Sequence, residues 1–160
     1  MRGKRLALLV LLCGFVGIAQ AFAGEDEIRT AFGQLQKAVK ARDAEKIWGL
    51  VDPDTQADAS RAAKAVAAAY AKATNKADLE KKYGLTAKEL GDMSGKLFIK
   101  SNRFHGKYYE VPDSKITGVT VKGDTAKLMS VEEDGDKITF PLVKQKGAWK
   151  FILKMPKAVD

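Results

Sequence analysis

The chain has 160 residues, of which 46% are hydrophobic and 30% charged, a balance that fits one globular domain and excludes disordered or fibrous classes. Its formal net charge is +8, with a single histidine and a single cysteine, Cys13. That supply is too poor for a thiolate metal site or a disulfide framework.

Residues 1–23 read as a secretory leader. Arg2, Lys4 and Arg5 form a basic start, Leu6 to Ile18 is an apolar run, and Ala21-Phe22-Ala23 is a small-x-small cleavage pattern before Gly24. The run is short for the roughly 20 apolar residues of a membrane span and contains two glycines. Leu12 before Cys13 is too large for lipoprotein processing. The expected product is an exported domain over 24–160, periplasmic or extracellular, without cysteine and without a transmembrane segment. Its 25 basic and 20 acidic side chains leave a net charge of +5, with the lysines interleaved among acids as on a solvated surface.

From Glu25, Ile28, Phe32, Leu35 and Val39 recur at helical spacing, behind an acidic Glu25-Asp26-Glu27 turn that suits a helix N-terminus. Asp43 caps a short helix carrying Ile47, Trp48, Leu50 and Val51. Asp52-Pro53 opens a third helix to about Thr74, its inward face lined by Ala59, Ala62, Ala63, Val66 and Tyr70. A further helix ends near Tyr83 with Gly84 as its C-terminal cap, and Thr86 and Glu89 have capping-box spacing between Leu85 and Leu90. The stripe Leu90, Met93, Leu97 and Phe104 predicts one helix to about Asn102, weakened at Gly91 and Gly95. Residues His105 to Ser114 read as a connector, so the helical half spans about 25–103.

The remainder, about 115–156, predicts four strands: Lys115 to Val121, Thr125 to Glu132, Lys137 to Lys144 and Ala148 to Met155. Short polar turns with a glycine separate them, as in a hairpin meander. Ile138, Phe140 and Leu142 share one face of the third strand, and Trp149, Phe151 and Leu153 one face of the fourth. Pro141 predicts an edge position or a bulge. The expected fold class is α+β, with N-terminal helices packed on a curved antiparallel sheet formed by the C-terminal four-strand meander.

Ala38-Val39-Lys40-Ala41-Arg42-Asp43 leading to Ile47-Trp48-Gly49-Leu50-Val51, together with Leu142 to Phe151, resembles the nuclear-transport-factor-two-like superfamily, in particular its small exported members of unassigned function. The resemblance implies a cone whose mouth can hold an apolar small molecule, enzymatic in some members and binding or assembly-forming in others.

Candidate chemistry is sparse. His105 could act as an acid or base, with Tyr108 or Tyr109 as proton donor and Glu110 orienting them, or the group is a solvated loop. Glu132 shares strand parity with Ala126, Leu128 and Ser130 and either faces the interior near the sheet end or forms a salt bridge or an exposed strand terminus. Trp48, Phe140 and Trp149 either line a ligand cavity or anchor the core. The run Glu132-Glu133-Asp134-Gly135-Asp136 lacks EF-hand spacing and reads as a turn, so no metal and no cofactor is expected. Basic residues are not clustered with stacking aromatics, which argues against nucleic acid. The expected function is a non-enzymatic binding or interaction domain, holding an apolar ligand in the sheet concavity or a protein, including a second copy as a homodimer, on the sheet face. The alternative is a small isomerase, dehydratase or hydrolase acting on a hydrophobic substrate.

Overall fold

A computed structural model describes residues 10–159, with side chains from Gly24 onward. The basic start of the expected leader, and the side chains of its apolar run and cleavage pattern, lie outside the described residues. Among the described residues, seven α-helices and one 3-10 turn precede a four-stranded antiparallel sheet of order β1-β2-β3-β4. The α+β reading, with helices N-terminal to a meander, holds. No helix is long and apolar enough, among the described residues, to cross a membrane.

Helix α1 (Val10–Lys40) runs through the expected 23/24 boundary rather than starting at Glu25, because no proline interrupts the segment. Its stripe of Ile28, Phe32, Leu35 and Val39 is buried against the sheet. Helix α2 (Ala44–Leu50) starts at Asp43, whose side chain accepts from Lys46 N–H, and α3 (Pro53–Lys72) starts at Asp52, which accepts from Thr55 N–H. Helix α4 (Lys76–Tyr83) ends on Gly84 at φ 64°, the left-handed conformation that glycine adopts without a Cβ penalty. The Thr86–Glu89 capping box opens α5 (Ala87–Gly91) with both reciprocal hydrogen bonds present.

The single helix expected from Leu90 to Asn102 is instead divided. α5 stops at Gly91, α6 (Gly95–Lys100) begins on Ser94, and α7 (Asn102–Lys107) begins on Ser101, each serine accepting a backbone N–H of the following turn. These two serine caps satisfy donors that a continuous helix would have bonded internally, so the chain turns without leaving them unpaired. The segment after His105 is likewise more regular than a connector, with α7 followed by a 3-10 turn at Val111–Asp113.

Strands β1 (Lys115–Lys122), β2 (Thr125–Val131), β3 (Lys137–Gln145) and β4 (Ala148–Phe151) follow. Pro141 corrects two expectations, since it lies in an inner strand, paired in register with Lys127, and the bulge falls in β1 between Ile116 and Gly118. The physical reason is directional. Pro141 C=O accepts from Ile152 N–H at 2.9 Å, so residue 141 points its backbone groups toward β4, and the missing N–H costs nothing on the β2 side. The β3–β4 ladder stops there, which explains why β4 ends at Phe151 and not near Met155.

The chain beyond is captured by helices. Val51 bridges Phe151 in parallel, Asp52 N–H donates to Phe151 C=O at 3.1 Å, and Leu153 N–H donates to the buried Thr55 Oγ1 at 2.9 Å. The α2–α3 junction thus covers the edge that β4 would otherwise expose. Replacing Thr55 by Val should leave Leu153 N–H without an acceptor and cost about 1–3 kcal/mol in chemical denaturation, while Thr55→Ser should retain most of the stability.

Candidate functional site

The alternation along each strand divides the sheet into two faces with different chemistry. Inward go Ile116, Val119 and Val121 of β1, Ala126, Leu128 and Ser130 of β2, Ile138, Phe140 and Leu142 of β3, and Trp149 and Phe151 of β4. Helix α1 closes this face. The Phe32 ring lies 5.4 Å from Phe140 and 6.2 Å from Phe151. At the sheet end, Glu27 accepts from Trp149 Nε1 at 3.2 Å and pairs with Lys144 at 3.1 Å, while the Lys144 ammonium sits 5.5 Å from the Trp149 ring centroid.

Phe140 and Trp149 therefore serve in the packing of α1 on the sheet. Trp48 lies elsewhere, half-buried on α2, where its ring approaches Gly95 of α6 so closely that an added Cβ would sit 2.8 Å from it.

Among the described residues, most side chains of the outer face are exposed. Lys115, Lys122, Lys127, Lys137 and Lys150 project from it, and none of the four strands contains an Asp or Glu. Between the lysines lie Met129, Pro141, Val143 and Ile152, with Met129 41% and Ile152 39% exposed. The β1 bulge sets Gly118 opposite Met129, whose methyl group covers it. Lys150 donates to Gly49 C=O at 2.5 Å along the rim, and the nearest acids in sequence, Asp113, Asp124 and Glu132 to Asp136, lie in or beside the turns. This segregation of charge was present in the strand sequences, but interleaved acids in the helices masked it.

The polar candidates separate into two environments. Tyr108 spends its hydroxyl as a donor to Lys154 C=O at 2.7 Å, and burial raises its pKa far above the ordinary phenol value. His105 is 5% exposed, and its Nε2 is buried without a hydrogen-bond partner. Burial, assisted by the Arg42 guanidinium, pushes its pKa down to about 4, so the imidazole is neutral at pH 7.

Glu110 turns instead to the β2–β3 hairpin, where one carboxylate oxygen each from Glu110, Glu132 and Asp134 lie within 4.8 Å of one another. Burial and the Glu110 charge, with Asp134 and Asp136 adding to it, raise the Glu132 pKa. Oε2 of Glu110 is buried without a hydrogen-bond partner. The all-oxygen set has the chemistry to hold a hard divalent cation. Sequence reading treated the hairpin acids as a turn and missed Glu110 as their neighbour.

No protein-family model, no curated protein and no solved structure matches the chain. Its chemistry is therefore read from its own geometry.

That geometry gives His105 a measurable pH signature. In the unfolded chain the imidazole keeps a pKa near 6.5, so protons bind the unfolded state more tightly and stability falls as pH drops from about 6.5 toward 4. The loss attributable to His105 should be on the order of 3 kcal/mol. His105→Phe should flatten the stability curve over that window, measured by urea unfolding at stepped pH.

Proposed function

We propose that this chain is an exported, non-enzymatic interaction domain that presents the outer face of its sheet to an acidic protein partner. The observation that carries the reading is the outer face itself, with five lysines, no carboxylate in any strand, and Met129, Pro141 and Ile152 exposed and Val143 half-buried between them. Apolar side chains supply area to bury, and the lysines choose a partner of opposite charge. The position of Phe32 between Phe140 and Phe151 favours this surface over a small ligand in the concavity. A homodimer through the same face is disfavoured because it would set lysines against lysines. Export rests on the leader-like pattern of residues 1–23, and the cone-shaped superfamily that the sequence resembles is in keeping with helices on one side of an antiparallel meander.

A photo-crosslinking amino acid at position 129 tests the reading in cells expressing the full chain. The expected result is an adduct with one acidic protein, reduced at least tenfold by Lys127→Glu together with Lys137→Glu, and weakened by added salt. An adduct of twice the chain mass would assign the face to self-association, and a yield unchanged by the charge reversals would contradict the electrostatic reading.

A further inference from the structure

The outer face lacks one side chain among its lysines. Ile116 pairs with Ser130 and Gly118 with Met129, so the bulge makes Thr117 the extra residue of β1 and sets the only glycine of the four strands opposite Met129. A Cβ built on Gly118 would stand 2.7 Å from the Met129 methyl carbon, and among the described residues no other atom outside its chain neighbours lies within 4 Å of that position. The space that a side chain at 118 would fill is therefore held by the tip of one methionine, 41% exposed and free to swing on three rotatable bonds. Beneath that tip is bare backbone.

The surroundings of this notch supply two further chemistries. Thr139 pairs with Met129 on β3, and Thr117 and Thr120 stand on β1, all three exposed, so hydroxyl groups lie around it. Beyond them are two basic rows. Lys115 and Lys137 both pair with Val131, whereas Lys127 pairs with Thr120 and Pro141, and Ile152 N–H donates to Pro141 C=O at 2.9 Å. Each row lies two residues from Met129 along β2, about 7 Å at the rise of a strand.

A flat ring lies flush on a glycine floor, and a thioether makes favourable contacts with aromatic rings. Threonine hydroxyls beside the floor offer hydrogen bonds to the polar tip of an amphipathic ring. From this arrangement we infer that the notch at Gly118 and Met129 takes a tryptophan or tyrosine side chain of the acidic partner, with carboxylates on that partner meeting Lys127 on one side and Lys115 and Lys137 on the other. The inference rests on the interaction face proposed above and names its anchor, the lysines selecting for charge and Gly118 for the ring.

Two short acidic peptides that differ only at their centre, one with tryptophan and one with leucine, are the probes. Each is titrated into the folded chain carrying isotope-labelled methionine methyl groups, with Met129→Leu assigning the Met129 signal by NMR. The tryptophan peptide should saturate with an upfield ring-current shift of that methyl and bind about fivefold tighter than the leucine peptide. Gly118→Ala puts a methyl group under Met129 at a position that has no positive φ, and should weaken the tryptophan peptide about fivefold while changing the leucine peptide by less than about twofold. Thermal unfolding checks that the variant keeps its fold. Equal affinity of the two peptides, or saturation by the tryptophan peptide without the upfield shift, would overturn the anchor and leave the acidic-partner face standing. Binding of neither peptide would overturn the anchor together with the face on which it rests.

Discussion

The packing of Phe32 into the inner face of the sheet is the contact on which the rest of the structure depends. It places one aromatic ring from α1 against Phe140 of β3 and Phe151 of β4, at 5.4 and 6.2 Å, and so joins the helical half to the sheet near its centre. Removal of a buried phenylalanine side chain ordinarily costs about 3–5 kcal/mol, a large part of the stability of a domain this size. The contact also distinguishes the two faces. With α1 filling the inner side, the chemistry available to a macromolecular partner lies on the outer side.

Two further ties set the geometry around that contact. At one end of the sheet, Glu27 binds Trp149 and Lys144, fixing the rotation of α1 by a polar clamp that only this helix register allows. At the other, Thr55 and the Val51–Asp52 backbone take up the hydrogen bonds that β4 would have offered to another strand. One edge is therefore closed by the helices, whereas β1, the other edge, carries Lys115 and Lys122 at its ends and a bulge within it. Lysines and bulges are common means of discouraging strand addition. Contact through the face is then easier than contact through the edge.

Much of this fold was legible in the sequence because it is written in local chemistry. The caps at Asp43, Asp52, Gly84 and Thr86–Glu89 each involve residues only a few positions apart, and the hairpins follow from period-two alternation and glycine turns. What was not legible depends on distant partners. Gly95 must be small because Trp48 and Ser60 press against it, and the divided helix around it follows from that packing and from the Ser94 and Ser101 caps. The role of Pro141 depended on which neighbouring strand its N–H would have faced. Glu110 meets Glu132 and Asp134 only after the 3-10 turn and two strands have folded back, so sequence spacing could not pair them. The lysine-only strands were visible, but their meaning needed the faces to be known.

The central claim, a filled inner face and an outer face occupied by a partner, is tested most directly by thiol labelling at adjacent positions. In a chain carrying Cys13→Ser, which removes the only cysteine, Thr139→Cys reports the outer face and Phe140→Cys the inner one. The account predicts that, in purified protein, a maleimide reacts rapidly at 139 and at 140 only through unfolding. In intact cells, protection at 139 should appear and should be lost on Lys127→Glu. Rapid labelling at 140 in the purified protein would show an accessible interior, and equally rapid labelling at 139 in cells and in purified protein would contradict a partner on the sheet face.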